Sequence, residues 1–118
     1  MRNSDTFSVE LERSNGATHL RLAGRFDVAA TPVLDKAIAA IRRRDVLLNL
    51  EAVTFMDSAA WLAIMAYEHR VHEWGMKFRL VQVPAHIRRI FEVTATEYLF
   101  SEAVGARTDG QDQEVWGP

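Results

Sequence analysis

The feature that most constrains the fold is a short apolar run at residues 46–50, which reads Val-Leu-Leu-Asn-Leu. Nearly every position in this run is apolar, so neither side of a strand formed here would suit contact with water. That composition is typical of a strand buried on both faces in the middle of a sheet. The run therefore predicts a central strand, and the segments on either side indicate what kind of sheet surrounds it.

The residues before the run predict two strands joined by a tight turn. Residues 7–12 alternate apolar and polar side chains, and residues 19–22 resume the same alternation. Between them, Asn15 and Gly16 supply the positive φ angles of a type I′ hairpin turn. We therefore expect an antiparallel hairpin at the edge of the sheet.

Helices and strands alternate through the rest of the chain. Thr31 and Pro32 have the residue types of a helix N-cap and a first helical position, and apolar residues follow at helical spacing. After the apolar run we expect a loop at residues 51–57, a long helix at residues 58–74, a strand at residues 78–83, and a helix that begins at Pro84.

This order of elements predicts the α/β class. Strand–helix–strand units imply parallel crossovers and the hairpin adds an antiparallel pair, so we expect a mixed sheet of four to five strands with helices packed on it. The 118 residues fit one domain, which we assign to residues 1–104. Residues 105–118 are mostly polar or glycine, and we interpret them as a flexible C-terminal tail.

Composition excludes several classes of function. The chain has no cysteine, so it can form no disulfide, thiolate metal site or cysteine nucleophile. Its 14 basic and 16 acidic residues give a net charge of −2, which gives no reason to expect direct binding to nucleic acid. The longest apolar stretch, at residues 59–67, is much shorter than the ~20 residues of a membrane-spanning helix. We therefore expect a cytoplasmic protein without membrane insertion, metal or cofactor.

The junction between the central strand and the long helix is the predicted functional site. Residues 55–61 follow the carboxyl end of a parallel strand, where α/β folds place their sites. Ser58 is the expected N-cap of the helix, and a capping role alone would explain the pair Asp57 and Ser58. A functional hydroxyl is the alternative, because a helix N-terminus would tolerate the ~1.5–2 negative charges of a phosphate.

Catalytic and metal-binding motifs are absent or incomplete in the sequence. Ser58 lacks the flanking glycines of a nucleophile elbow, and no glycine-rich phosphate-binding loop occurs. An enzyme with Ser58 or Asp57 as nucleophile would also need an activating base, for which we find no placement. His69 and His72 are three residues apart, and we interpret them as part of a polar helix face rather than a metal site. We also expect His19 at the surface.

Four segments of the chain match the pattern of one known family. Residues 48–58 read Leu-Asn-Leu-Glu-Ala-Val-Thr-Phe-Met-Asp-Ser, and residues 22–27 read Leu-Ala-Gly-Arg-Phe-Asp. Residues 78–81 and 84–94 resemble that family's fourth strand and third helix. Together these segments closely resemble the STAS domain, as in bacterial anti-sigma-factor antagonists, over roughly residues 6–101.

The resemblance implies a switch protein rather than an enzyme. In this family the unphosphorylated antagonist binds an anti-sigma factor and so frees a sigma factor. The anti-sigma factor is often a serine kinase that uses ATP and Mg²⁺, and its phosphorylation of the antagonist ends the interaction until a phosphatase restores it. Ser58 matches the family's phosphorylated serine, which makes it the expected phospho-acceptor of this chain.

The same resemblance implies a partner-binding surface around Ser58. Its expected members stand at the starts of the first helix and of the long helix: Asp27, Thr31, Asp57, Ser58, Ala59 and Trp61. The family usually has Gly and Leu where this chain has Ala60 and Trp61, and Trp61 is either a core residue, which we favour, or a partner-binding hot spot. A non-phosphorylated partner subunit of a transporter ATPase or signalling complex is the alternative function.

Overall fold

The computed structural model describes residues 6–41 and 43–100 of the chain. This part contains four strands, β1 (Ser8–Ser14), β2 (Ala17–Phe26), β3 (Asp45–Met56) and β4 (Phe78–Val81). It also contains three helices, α1 (Thr31–Ala39), α2 (Ser58–Glu73) and α3 (Ala85–Val93), and one 3₁₀ turn at Glu97–Leu99. The order of strands and helices is the predicted one. The predicted tail at residues 105–118 lies outside the described residues.

The strands form one mixed sheet in the order β1-β2-β3-β4. β1 and β2 pair in antiparallel orientation, whereas β2 and β3, and β3 and β4, pair in parallel. Asn15 and Gly16 form the hairpin turn with φ angles of 47° and 82°, which fit the predicted turn type. The α/β class, the mixed sheet and the edge hairpin are therefore confirmed.

β3 is longer than the sequence predicts, and the expected loop at residues 51–57 is wrong because most of that segment is strand. Two register shifts let the pairing with β2 continue. β3 advances seven residues from Asn49 to Met56 while β2 advances five from Arg21 to Phe26. The extra residues are accommodated as bulges, which keep the two strands paired to their ends.

One hydrophobic core joins the sheet to the helices. The strand side chains in it include the fully buried Leu20, Leu22, Val46, Leu48, Leu50 and Leu80. Each helix adds one buried stripe, formed by Leu34 and Ile38 in α1, Ile64 and Val71 in α2, and Ile87 and Phe91 in α3. The surface position expected for His19 is wrong, because β2 is an interior strand and His19 is almost fully buried in it.

A hydrogen bond between side chains joins α1 to α2. The hydroxyl of Tyr67 donates to the carboxylate of Asp35. Burial of Tyr67, together with that carboxylate, raises the pKa of the tyrosine above its ordinary value. Both helices begin at the same edge of the sheet, and this bond fixes their relative position about one turn after the start of α1 and about two and a half turns after the start of α2.

Candidate functional site

β2 and β3 end at the same edge of the sheet, and the site is built there. Their last residues, Phe26 and Met56, are register partners. One residue further, the backbone N–H of Asp57 donates to the carbonyl of Phe26 over 3.4 Å. The strand ends thereby bring Asp27 and Asp57 to one edge, where α1 and α2 begin.

Asp57 is the N-cap of α2, so the capping role predicted for Ser58 is wrong. Asp57 has an extended backbone with φ −109° and ψ −178°, and its carboxylate accepts the N–H of Ala60 at 2.9 Å. Its carbonyl also accepts the N–H groups of Ala60 and Trp61, both at 3.1 Å. Because β3 runs to Met56, the chain leaves the sheet at Asp57, and this residue closes the first turn of the helix.

Ser58 is consequently the first residue of α2, and its side chain is exposed. Within residues 6–41 and 43–100, its hydroxyl has no hydrogen-bond partner. The N-terminus of a helix carries partial positive charge and N–H groups without helical partners, which favour an anionic group. The hydroxyl is therefore accessible at a position where added negative charge is compatible with the helix.

Asp27 stabilises the turn that leads into α1. Its carboxylate accepts the N–H of Ala29 at 3.1 Å, and its carbonyl accepts the N–H of Ala30 at 2.9 Å. Ala30 occupies the N-cap position and Thr31 is the first helical residue, so the N-cap role predicted for Thr31 is wrong. The Thr31 hydroxyl instead donates to the carbonyl of Val28 at 3.0 Å. Because Ala30 has no side-chain acceptor, the helix starts without a side-chain cap.

Trp61 lies on the core side of the site. Its half-buried side chain packs against the hydrophobic core, and the indole N–H donates to the hydroxyl of Thr96 at 3.2 Å. Ala59 is half-buried as well. On the outer side of the helix, one turn after Ser58, Leu62 is 59% exposed. The large exposed apolar residue nearest to Ser58 on α2 is therefore Leu62, which the sequence did not predict as a site residue.

Two further residues at this edge, Arg25 and Phe55, were not predicted from the sequence. They are register partners on β2 and β3, and the guanidinium carbon of Arg25 lies 3.9 Å from the ring centroid of Phe55. The Nε of Arg25 also donates to the carboxylate of Asp27 at 3.1 Å. The stack depends on the register between two strands, which the sequence does not reveal. The available signal was the position of Arg25 two residues before the expected partner-binding residue Asp27.

Other polar groups lie away from this edge. His69 Nε2 is 3.2 Å from a carboxylate oxygen of Glu73 on the exposed side of α2, and the described residues contain no group of three potential metal ligands. A pocket of about 310 Å³ at the other end of α2 is lined in part by Glu68, His72 and Lys77. In the described ranges, every helix is too short or too polar to cross a membrane.

Comparisons with known proteins identify the family. A model of the STAS domain matches residues 8–105 of the chain. The chain is also 23% identical over 105 residues to the anti-sigma-B factor antagonist of Staphylococcus aureus strain NCTC 8325. That alignment covers 86% of this chain and 97% of the relative.

Solved structures share the fold. An anti-sigma factor antagonist from Mycobacterium paratuberculosis superposes with a TM-score of 0.74 at 21% identity, over 92% of this chain and 100% of the other. The Bacillus cell fate determinant SpoIIAA in its phosphorylated form superposes with a TM-score of 0.65 at 18% identity, over 84% of this chain and 98% of the other. At these identities the likeness establishes a common fold.

Proposed function

The chain belongs to the STAS domain family, and on that basis we propose that it is an anti-sigma-factor antagonist. It is a cytoplasmic binding protein in this proposal and carries out no catalytic step itself. The observation that carries the proposal is that Asp57 caps α2 and leaves the Ser58 hydroxyl exposed beside it. The surface that meets the anti-sigma factor is the edge formed by Asp27, Thr31, Asp57, Ser58, Ala59 and Trp61.

The anti-sigma factor in this proposal is also the serine kinase that ends the interaction. It uses ATP and Mg²⁺ to transfer the γ-phosphoryl group to the oxygen of Ser58, which releases ADP and the hydroxyl proton. The phosphoserine carries ~1.5–2 negative charges at neutral pH, and the N-terminus of α2 stabilises them. A separate phosphatase hydrolyses it to serine and inorganic phosphate, which returns the chain to its binding form.

The phosphate acts on the binding surface rather than on the fold. The carboxylate of Asp57 keeps its bond to the N–H of Ala60, so the start of the helix need not rearrange. A phosphate on Ser58 adds bulk and charge beside the carboxylates of Asp27 and Asp57, one turn from the exposed Leu62. A partner that covers this surface would have to desolvate that charge, which lowers its affinity.

The alternative role, a subunit of a transporter ATPase or signalling complex, depended on an apolar surface around Trp61. The indole of Trp61 donates to Thr96 and packs against the core, so only part of its side chain is left to contact a partner in either role. That feature therefore gives no reason to prefer the alternative over the antagonist.

Phosphorylation is tested by incubating the chain with a candidate anti-sigma kinase and Mg-ATP, then mapping modified residues by mass spectrometry. We expect one phosphate, on Ser58, and none on Ser58→Ala. Ser8→Ala removes another exposed serine, on β1, and as the matched control it should be labelled like the wild type. Labelling that persists in Ser58→Ala would contradict the assignment of the site.

The switch itself is tested by the affinity for the anti-sigma factor, measured by titration calorimetry. Ser58→Asp should raise Kd by about tenfold or more, because it places an unpaired charge in the interface. Ser58→Asn has nearly the same size without the charge and should bind much more tightly than Ser58→Asp. Equal affinities of the wild type and Ser58→Asp would place the partner elsewhere on the molecule.

A further inference from the structure

Two neighbours hold Arg25 in one orientation at the edge that carries Ser58. The guanidinium carbon lies 3.9 Å from the centroid of the Phe55 ring, in a cation–π stack. The Nε donates to Asp27 Oδ2 at 3.1 Å. The contact with the ring and the bond to Asp27 restrain the guanidinium from two sides. The group is therefore pre-organised before any partner binds.

The outer part of this guanidinium is available to a ligand. Arg25 has a side chain that is 50% exposed. A guanidinium has five N–H donors, and within the described part of the chain only the donor on Nε has an acceptor. The terminal nitrogens Nη1 and Nη2 remain as a planar fork, which matches the two oxygens of a carboxylate.

We propose that Arg25, stacked on Phe55, docks a carboxylate side chain of the anti-sigma factor. The inference rests on the proposed function and states the chemistry of the partner, which is an Asp or Glu beside an apolar residue. The carboxylate pairs with the fork of Arg25, and the apolar residue covers the neighbouring Phe55, which is 37% exposed. Arg and aromatic side chains are enriched among the residues that dominate binding energy at interfaces.

The position of Arg25 links this contact to the switch. Arg25 directly precedes Phe26, whose carbonyl accepts the N–H of Asp57. Ser58 directly follows Asp57, so Arg25 and Ser58 lie at the same edge of the sheet. A phosphate on Ser58 would repel a partner carboxylate that docks at the same edge. An acidic docking group therefore makes partner binding more sensitive to phosphorylation than a neutral group would.

The same strand offers a matched control. Arg21 lies four residues earlier on β2, and its Nη1 is 3.4 Å from a carboxylate oxygen of Glu10. Its side chain is 43% exposed, close to the value for Arg25. Alanine at either position removes one positive charge and one exposed ion pair from β2. Only Arg25→Ala removes a group from the edge that carries Ser58.

The affinities of Arg25→Ala and Arg21→Ala for the anti-sigma factor are measured by titration calorimetry at two salt concentrations. We expect Arg25→Ala to raise Kd by about tenfold or more and to reduce its dependence on salt. Arg21→Ala should stay within about twofold of the wild type. An unchanged Kd for Arg25→Ala, or equal losses for the two variants, overturns the docking role. Thermal unfolding of each variant checks that the fold is intact.

Further variants separate docking from an indirect effect through Asp27. Arg25→Lys keeps the charge without the fork, so it should recover only part of the affinity, and full recovery overturns the geometry proposed here. Asp27→Asn keeps an oxygen that can accept the N–H of Ala29. If Arg25 acts only by orienting Asp27, then Arg25→Ala has no effect in the Asp27→Asn background, and the docking role is overturned.

The two proposals fail in distinguishable ways. A wild-type chain that binds no anti-sigma factor removes the proposed function and the docking role together. Normal binding by the wild type with an unaffected Arg25→Ala removes the docking role alone and leaves the antagonist function in place.

Discussion

α1 and α2 begin at the same edge of the sheet with a hydroxyl residue in first position, yet the two hydroxyls are in different situations. The hydroxyl of Thr31 donates to the carbonyl of Val28, and its side chain is half-buried. The side chain of Ser58 is exposed, and the adjacent Asp57 caps the first turn of α2. The difference shows that a helix start can leave a hydroxyl free for chemistry when a neighbouring residue performs the capping.

The largest effect expected from this comparison is at the cap of α2. Asp57→Ala removes the acceptor for the N–H of Ala60 and should lower the free energy of unfolding by about 1–2 kcal/mol. Asp57→Asn retains a capping oxygen and should lose much less. Chemical denaturation measures both variants. An alanine variant as stable as the wild type would mean that Asp57 does not stabilise the start of α2.

An intermediate effect is expected at the hydrogen bond between Tyr67 and Asp35, which joins α2 to α1. Tyr67→Phe removes the hydroxyl that donates to Asp35, and should lower the free energy of unfolding by about 1 kcal/mol at neutral pH. Denaturation curves of the wild type and the variant measure this loss. Tyr98→Phe, which removes the hydroxyl of an exposed tyrosine, should leave the stability nearly unchanged.

The same bond gives a pH dependence of defined sign. Burial and Asp35 raise the pKa of Tyr67 in the folded chain, so the folded state holds the phenolic proton to higher pH than the unfolded state. The contribution of the protonated Tyr67 hydroxyl to the stability of the folded chain is therefore fully present below about pH 10, the ordinary tyrosine pKa. It is lost as the pH rises above that value. Wild type and Tyr67→Phe should converge in stability above that pH, and a constant difference would contradict this interpretation.

The smallest effects are expected at the two hydroxyls themselves, and they test the comparison of the two helix starts most directly. Thr31→Val removes the bond to the carbonyl of Val28 and should lower the free energy of unfolding by about 0.5 kcal/mol. Ser58→Ala removes an exposed hydroxyl and should change it by no more than about 0.3 kcal/mol. Thermal or chemical denaturation of both variants measures the difference. A loss at Ser58 as large as that at Thr31 would mean that both hydroxyls are structural.

The sequence predicts those parts of the fold that depend on local pattern. The hairpin follows from Asn15 and Gly16, and the order of strands and helices along the chain follows from their alternating periodicities, both of which the structure confirms. The end of β3 could not be predicted in this way, because it depends on pairing with β2 through two register shifts. The cap of α2 follows from that end, so the choice between Asp57 and Ser58 was also out of reach.

Prediction of the site from the sequence is limited in the same way. Asp57 and Ser58 could be located from the strand–helix junction, which is a local feature of the sequence. The environment of Trp61 depends on Thr96, 35 residues later in the chain. The orientation of Arg25 depends on Phe55 in the neighbouring strand. Contacts of this kind are set by tertiary packing, and no periodicity in a single sequence encodes them.

The bulges between β2 and β3 determine how the fold would accommodate the loss of one residue from β3. Thr54 is the residue of β3 that lies between Val53 and Phe55, the register partners of Gly24 and Arg25. A deletion at Thr54 would restore regular alternation there and leave Val53 and Met56 facing the core. A deletion of this one residue should therefore be tolerated, and the serine would keep its place at the sheet edge while its distance along the sequence shortens.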